Sequence, residues 1–198
     1  MKNRIKIYLE KVKTYNKIAN ISKIVRRYFA VNGFDGVITI IGVLMGNYII
    51  GTQDYMNVII TGTAVCISLG VSGVWSAYNS ESAERKKEID DLEKYTLHDL
   101  DRTVISEAQS FATKVLSAVN GLSPVITALI PIIPFFFGSI IPIEYSFYAG
   151  FALAFLVLLG IGLFLGKISK SNLIISGIKM VIAGGFTAGL SFLLKFIN

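Results

Sequence analysis

One carboxylate stands inside an apolar segment of this sequence. Asp35 lies about nine residues into a stretch of about twenty mostly apolar residues that begins after Arg26 and Arg27. A charged side chain deep in a bilayer costs roughly 2.5–3.5 kcal/mol on insertion scales. An acid at this depth therefore indicates that another part of the protein or a bound partner offsets this cost. The alternative is a carboxylate that caps or pairs locally near the membrane surface, since Asp35 is only about two turns inside.

A second group of acids lies in the polar segment 80–117, which holds nine of the thirteen Asp and Glu residues. Six polar residues recur there at spacings of three and four, which places them on one helical stripe: Glu81, Glu84, Glu88, Asp91, Tyr95 and His98. Carboxylates with one imidazole suit Mn²⁺ and Fe²⁺, so the stripe is a candidate metal site. The alternative is a salt-bridged, solvated helix, because Arg85, Lys86 and Lys87 also supply counter-charge.

Five apolar runs must position these acids, and each has the length that a bilayer core demands. They lie at about 30–50, 57–79, 118–142, 146–166 and 172–196. The chain is only 16% charged, whereas soluble domains are about 25% charged. We therefore expect an all-α integral membrane protein with five transmembrane helices. The polar segment 80–117 has no proline or glycine, which permits one long cytosolic helix that continues the second span.

Prolines and the lone cysteine carry weaker signals. The third run contains Pro124, Pro131 and Pro134, and each proline removes a backbone donor. The run is either a bent helix or a helix broken beside a pathway. Cys66 is the one cysteine, so a disulfide framework and a CxxC metal pair are excluded, and a packing role is expected.

Basic residues predict the orientation. Residues 1–27 hold nine Lys and Arg against one acid, and the turn near 167–170 carries two lysines. The positive-inside rule places the N-terminus, the polar segment and this turn in the cytosol, and the C-terminus outside. The basic cluster beside the membrane indicates contacts with anionic lipid rather than nucleic acid. We therefore expect four segments. Residues 1–28 form a basic N-terminal helix, 29–79 the first two transmembrane helices, 80–117 the acidic cytosolic helical segment and 118–198 the last three transmembrane helices.

The first of these segments has apolar residues at near-helical spacing: Ile5, Leu9, Val12, Ile18, Ile21 and Val25. Lysines lie between them, so we expect an amphipathic helix on the cytosolic leaflet. A solvated basic tail is the alternative.

Four motifs resemble those of the vacuolar iron transporter family, in a divergent form of prokaryotic type. "NGFDGVITIIGVLMG" resembles its first membrane helix, and "GVSGVWSAYNSESAERKKE" its second helix and the start of its cytosolic helix. "LIPIIPFFFG" and "ISGIKMVIAGG" are similar to its third and fifth helices. The resemblance implies a homodimer in a prokaryotic cell membrane that exports Fe²⁺ or Mn²⁺ from the cytosol in exchange for protons. No enzyme activity is expected, because the spans contain no two-carboxylate or HExxH-like catalytic constellation, and no fixed cofactor is expected.

The resemblance also implies roles for individual residues. Asp35 would hold metal and proton in the transport path, with Asn32 and Met45 nearby, and the metal would be gathered by a set of cytosolic residues: Glu81, Glu84, Glu88, Asp91 and His98. One departure stands out, because Gly73 and Ala77 occupy the positions of a family methionine and glutamate. The alternative function is therefore a membrane protein that binds or senses metal without transporting it.

Overall fold

The computed structural model describes residues 2–138 and 140–196, and it describes their side chains except those of residues 2–5, 7 and 8. Six α-helices follow one another in the chain: α1 Lys2–Ala19, α2 Ile21–Ile50, α3 Tyr55–Thr96, α4 Val104–Leu129, α5 Ile143–Ser169 and α6 Leu173–Leu193. Two 3₁₀ helices extend them, Ile130–Phe137 after α4 and Leu194–Phe196 after α6. No strand occurs in the described residues.

Five of the helices are long and apolar enough to cross a membrane: α2, α3, α4 with its 3₁₀ extension, α5 and α6 with its own. The prediction of five transmembrane helices is therefore confirmed. Their packed core is formed by α2, α4 with its 3₁₀ extension and α5, with Val58 and Cys66 contributed by α3. Ile40, Ile132 and Phe147 belong to one buried cluster, and Val37 and Leu158 belong to another.

The N-terminal residues form a separate helix that packs on α4. Asn20 adopts the left-handed conformation with φ 50°, so α1 ends there and residues 21–28 belong to α2 rather than to one amphipathic unit. The packed face of α1 contains Tyr15 and Ala19, whereas Leu9 and Ile18 are exposed. The side chain of Ile5 lies outside the described residues.

An ion pair holds α1 to α4. Lys11 Nζ lies 3.0 Å from Glu107 Oε2, and the hydroxyl of Tyr15 donates a hydrogen bond to the same carboxylate. Hydrogen bonds with Tyr15 and Glu107 raise the pKa of Lys11 to about 12. A raised lysine pKa means that this contribution to stability is complete below the ordinary value of 10.5 and is lost as the pH approaches 12.

The polar segment folds into a hairpin, so the expectation of one helix through residue 117 is wrong. α3 continues the second span to Thr96, and the chain then reverses over residues 97–103. Leu97 and Arg102 have φ values of 54° and 61°, which few L-residues adopt. Polar side chains stabilise the reversal. The Asp99 carboxylate accepts a hydrogen bond from the backbone N–H of Asp101, and Thr103 caps the N-terminus of α4. Such local hydrogen bonds compete with helix continuation.

The prolines of the third span tighten the helix without leaving a gap in it. Pro124 lies within α4, and Pro131 and Pro134 lie in the 3₁₀ helix Ile130–Phe137 that follows directly. This helix packs closely on α5, since a Cβ added at Gly150 would lie 2.8 Å from the carbonyl oxygen of Pro131.

Candidate transport site and cytosolic carboxylates

Asp35 lies on the outer surface of the helical bundle. It is exposed, whereas its neighbour Gly36 is buried and lies against α4. A Cβ added at Gly36 would lie 2.4 Å from the carbonyl oxygen of Pro124, so this side of α2 has no room for a side chain. Among the hydrogen bonds and ion pairs of the described residues, none involves the Asp35 carboxylate. The carboxylate is thus neither capping a helix nor paired with Lys179 of α6, which is also exposed.

The face of α2 that carries Asp35 also carries two glycines. Gly42 and Gly46 follow Asp35 by seven and eleven residues, which places all three on one side of a helix. A Cβ added at either glycine would meet nothing within 4 Å. This face, defined by Asp35, Gly42 and Gly46, is left open by the rest of the described chain.

Asn32 and Met45 face other parts of the protein. Asn32 donates hydrogen bonds to Asn120 Oδ1 at 2.7 Å and to the carbonyl of Tyr28 at 2.8 Å, so it joins α2 to α4. Met45 is 8% exposed and packs in the cluster that contains Leu158. Both side chains are therefore engaged inside the protomer, and Asp35 alone of the three predicted path residues lies on the open face.

The departure at Gly73 is built into the contact between α3 and α4. A Cβ added there would lie 2.9 Å from both the carbonyl oxygen of Asn120 and Cα of Gly121. The carbonyl of Gly73 in turn accepts a hydrogen bond from Asn120 Nδ2 at 2.8 Å. A methionine does not fit at this position, and Ala77 one turn later is buried as well. At both positions, where the resemblance implies a ligand, this chain has a small residue in the helix packing.

Glu81 lies in a buried network rather than on an open metal-binding stripe. Glu81 is 7% exposed, as is Arg85. Arg85 Nε lies 3.2 Å from Glu81 Oε2, and the Tyr28 hydroxyl donates to Glu81 Oε1 at 2.5 Å. Arg85 also donates to the buried side chain of Gln109. The guanidinium compensates the carboxylate, and the network ties α2, α3 and α4 together at the end of the spans.

The other members of the predicted stripe do not converge. Glu88 accepts a hydrogen bond from Gln109 at 3.0 Å, and Asp91 lies 3.6 Å from Lys94. Glu84 is exposed, and His98 lies in the reversal, with Nδ1 3.1 Å from the carbonyl of Thr96. The salt-bridged, solvated helix describes most of the stripe.

Three different carboxylates do converge at the tip of the hairpin. One oxygen each of Glu93, Asp99 and Asp101 lies within 4.8 Å of the others. Glu93 is half-buried and accepts a hydrogen bond from the backbone of Leu100 at 2.8 Å, while the two aspartates are exposed. None of these three acids belongs to the predicted stripe. The available signal was the side chains of Asp99, Asp101 and Thr103, which are residue types that favour a chain reversal.

A cavity of about 570 Å³ opens between the two arms of the hairpin and reaches these carboxylates. Its lining also includes Asp90 and the cations Arg85, Lys86 and Lys114. Oxygen ligands of this kind suit hard divalent cations, which take six or more donors and accept water for the rest. The tip of the hairpin can therefore hold one partly hydrated metal ion.

Comparison with known proteins decides the family. A model of the VIT family matches residues 100–195, the stretch that contains the Pro131–Pro134 and Gly177–Met180 motifs. An uncharacterized protein of Methanocaldococcus jannaschii is 31% identical over 172 residues, which cover 85% of this chain and 87% of that protein. The chain belongs to the VIT family.

Membership in the VIT family confirms the resemblance found in the sequence motifs. It indicates a membrane-embedded transporter of metal ions. The five spanning helices and the open carboxylate on α2 agree with that role.

Proposed function

We propose that this VIT-family protein exports Fe²⁺ or Mn²⁺ from the cytosol in exchange for protons. The observation that carries the proposal is the position of Asp35, an exposed carboxylate within a helix that spans the membrane. Since lipid penalises an uncompensated charge there, the carboxylate needs a metal ion or a proton as its partner. Alternate binding of the two on one carboxylate is the elementary step of an antiporter.

The transporter is proposed to act as a homodimer in which two copies of the open face meet. Small residues let helices approach closely within a membrane, and Gly42 and Gly46 lie on the same face as Asp35. Two Asp35 carboxylates would then line one path between the protomers. This arrangement shields the acids from lipid and gives the metal two negatively charged oxygen ligands.

The cytosolic hairpin is proposed to gather the metal before transport. The carboxylates of Glu93, Asp99 and Asp101 lie close enough to share one ion, and Glu84 and Glu88 add negative charge along the same hairpin. This assignment rests on the predicted orientation, with the N-terminus and hairpin in the cytosol and the C-terminus outside the cell membrane.

The test is metal flux in proteoliposomes with an imposed pH gradient. Wild-type protein should move Mn²⁺ and Fe²⁺ against protons, and Asp35→Asn should abolish flux, because the amide cannot exchange a proton for a metal ion. Asp54→Asn is the matched control. Asp54 caps α3 through a hydrogen bond from the backbone of Met56 at 2.9 Å, and asparagine caps equally well. Equal flux in wild type and Asp35→Asn would refute the proposal.

A second function is favoured by the packing at Gly73, which leaves no room for one of the two potential ligands. In that case the protein binds or senses metal through its hairpin and transports none. Metal binding that persists in Asp35→Ala, with no flux in either protein, would identify this function.

A further inference from the structure

A cavity at one end of the helical bundle joins the start of α2 to the end of α5. It measures about 510 Å³ and is lined by Asn20, Lys23, Ile24, Arg27, Leu165 and Ile168. A T-shaped contact between Phe29 and Phe164, with ring centroids 5.9 Å apart, holds the two helices together beside it. The transport mechanism proposed above uses none of these residues.

The polar half of the cavity is cationic. Lys23 and Arg27 are four residues apart, so both side chains lie on the same face of α2, and both are exposed. None of the ion pairs formed within the described part of the chain includes either of them, and no acid lines the cavity. The start of α2 adds the positive end of a 30-residue helix. Lys167 and Lys170 lie at the adjacent end of α5 and offset the negative end of that helix.

The side chains of Arg26 and Arg27 lie in different environments. Arg26 Nε donates to the carbonyl of Ser22 at 3.1 Å, and its side chain lines a separate cavity against α4. The guanidinium of Arg27 lies 5.7 Å from the ring centroid of Tyr28, which limits the directions it can take. Its planar donors are suited to a phosphate, which arginine binds through two parallel hydrogen bonds.

The apolar half of the cavity distinguishes a lipid from a free anion. Ile24, Leu165 and Ile168 supply hydrocarbon surface next to the two cations, at the level where both helices leave the apolar core of the bundle. Inorganic phosphate has no apolar part that could pack on this surface, whereas a phospholipid has a phosphodiester and acyl chains at matching positions. Basic pockets between membrane helices are an established form of binding site for anionic headgroups.

We propose that this cavity binds one anionic phospholipid. Its headgroup phosphate would contact Lys23 and Arg27, and the headgroup end of an acyl chain would lie along Leu165 and Ile168. The bound lipid would join the α1–α2 junction to α5. The site differs from general attraction of the basic N-terminal segment to the membrane, because it depends on two particular cations beside an apolar wall.

The experiment titrates the full-length protein, purified in a neutral detergent, with single lipids and follows bound lipid by native mass spectrometry. Phosphatidylglycerol should bind at least tenfold more tightly than phosphatidylcholine, and inorganic phosphate at the same concentration should not compete. Lys23→Gln/Arg27→Gln should weaken phosphatidylglycerol binding at least fivefold. Lys6→Gln/Lys17→Gln is the control, since it removes the same charge from exposed positions of α1 outside the cavity.

Three results would overturn the proposal. Equal binding of both lipids would mean that the cations do not contribute, and competition by inorganic phosphate would identify a free-anion site. Equal weakening in the control variant would identify unspecific attraction. The comparison of the two lipids uses wild-type protein, so its result is valid even if a variant folds poorly. Arg27→Lys should keep part of the selectivity for phosphatidylglycerol, because it keeps the positive charge.

Discussion

Removal of the Arg85 guanidinium is expected to destabilise the protein more than any exposed charge change. Arg85 and Glu81 are each 7% exposed and lie 3.2 Å apart. Arg85→Met would leave the Glu81 carboxylate buried, with the Tyr28 hydroxyl but no compensating cation. Loss of one partner of a buried ion pair costs about 3–5 kcal/mol. For a chain of this length, that loss lowers the melting temperature by roughly 10 °C.

Two further variants separate the charge effect from lost packing. Glu81→Gln/Arg85→Met removes the stranded charge and keeps an acceptor for Tyr28, so it should be about 2 kcal/mol more stable than Arg85→Met alone. Lys94→Met removes an exposed partner of Asp91 and should cost less than about 1 kcal/mol.

Thermal unfolding of detergent-purified protein, followed by circular dichroism at 222 nm, measures all three variants under one condition. The reasoning would be refuted if Arg85→Met matched Lys94→Met, since the pair would then contribute no more than an exposed one. It would also be refuted if the double variant were less stable than Arg85→Met, because the second substitution is expected to restore stability.

Two further predictions concern the helix contact and the hairpin. Gly73→Ala should lower stability by about 1–3 kcal/mol through overpacking against α4, whereas Gly160→Ala, where an added Cβ meets nothing within 4 Å, should leave the melting temperature unchanged or slightly raised. Glu93→Gln should weaken Mn²⁺ binding to the purified protein at least tenfold in calorimetric titration. Glu144→Gln, which removes an exposed acid outside the hairpin, should bind Mn²⁺ as the wild type does, and equal losses in both variants would rule out a localised site.

Apolar runs predicted the number of spans well because the bilayer imposes a minimum length on each one. The same reasoning could not locate the hairpin. A polar segment without proline or glycine permits a helix everywhere, and the break at Leu97 depends on local hydrogen bonds and on packing between α3 and α4. The side chains of Asp99, Asp101 and Thr103 are of types that favour a chain reversal.

The candidate site was only partly predictable, because spacing identifies one helical face but not its neighbours. Asp35 was identified from its charge within an apolar run and from the family resemblance, and the structure places it on the open face. Glu81 lies on the predicted stripe, but Arg85 of the same helix and Tyr28 of α2 occupy its two oxygens. The burial of the Glu81 carboxylate depends on how α2 packs against α3, and the periodicity of α3 alone does not predict it.

The unbroken length of α3 has a mechanical consequence. Its 42 residues span roughly 63 Å at 1.5 Å per residue, and after Gly73 no glycine or proline interrupts it. Glu93 lies roughly 20 Å along the helix axis beyond Asn79, so a rigid tilt of ~10° about that level moves the hairpin tip by roughly 4 Å. The span and the hairpin arm thus form one continuous helix, and a displacement of the hairpin tip is tied mechanically to the tilt of the second span.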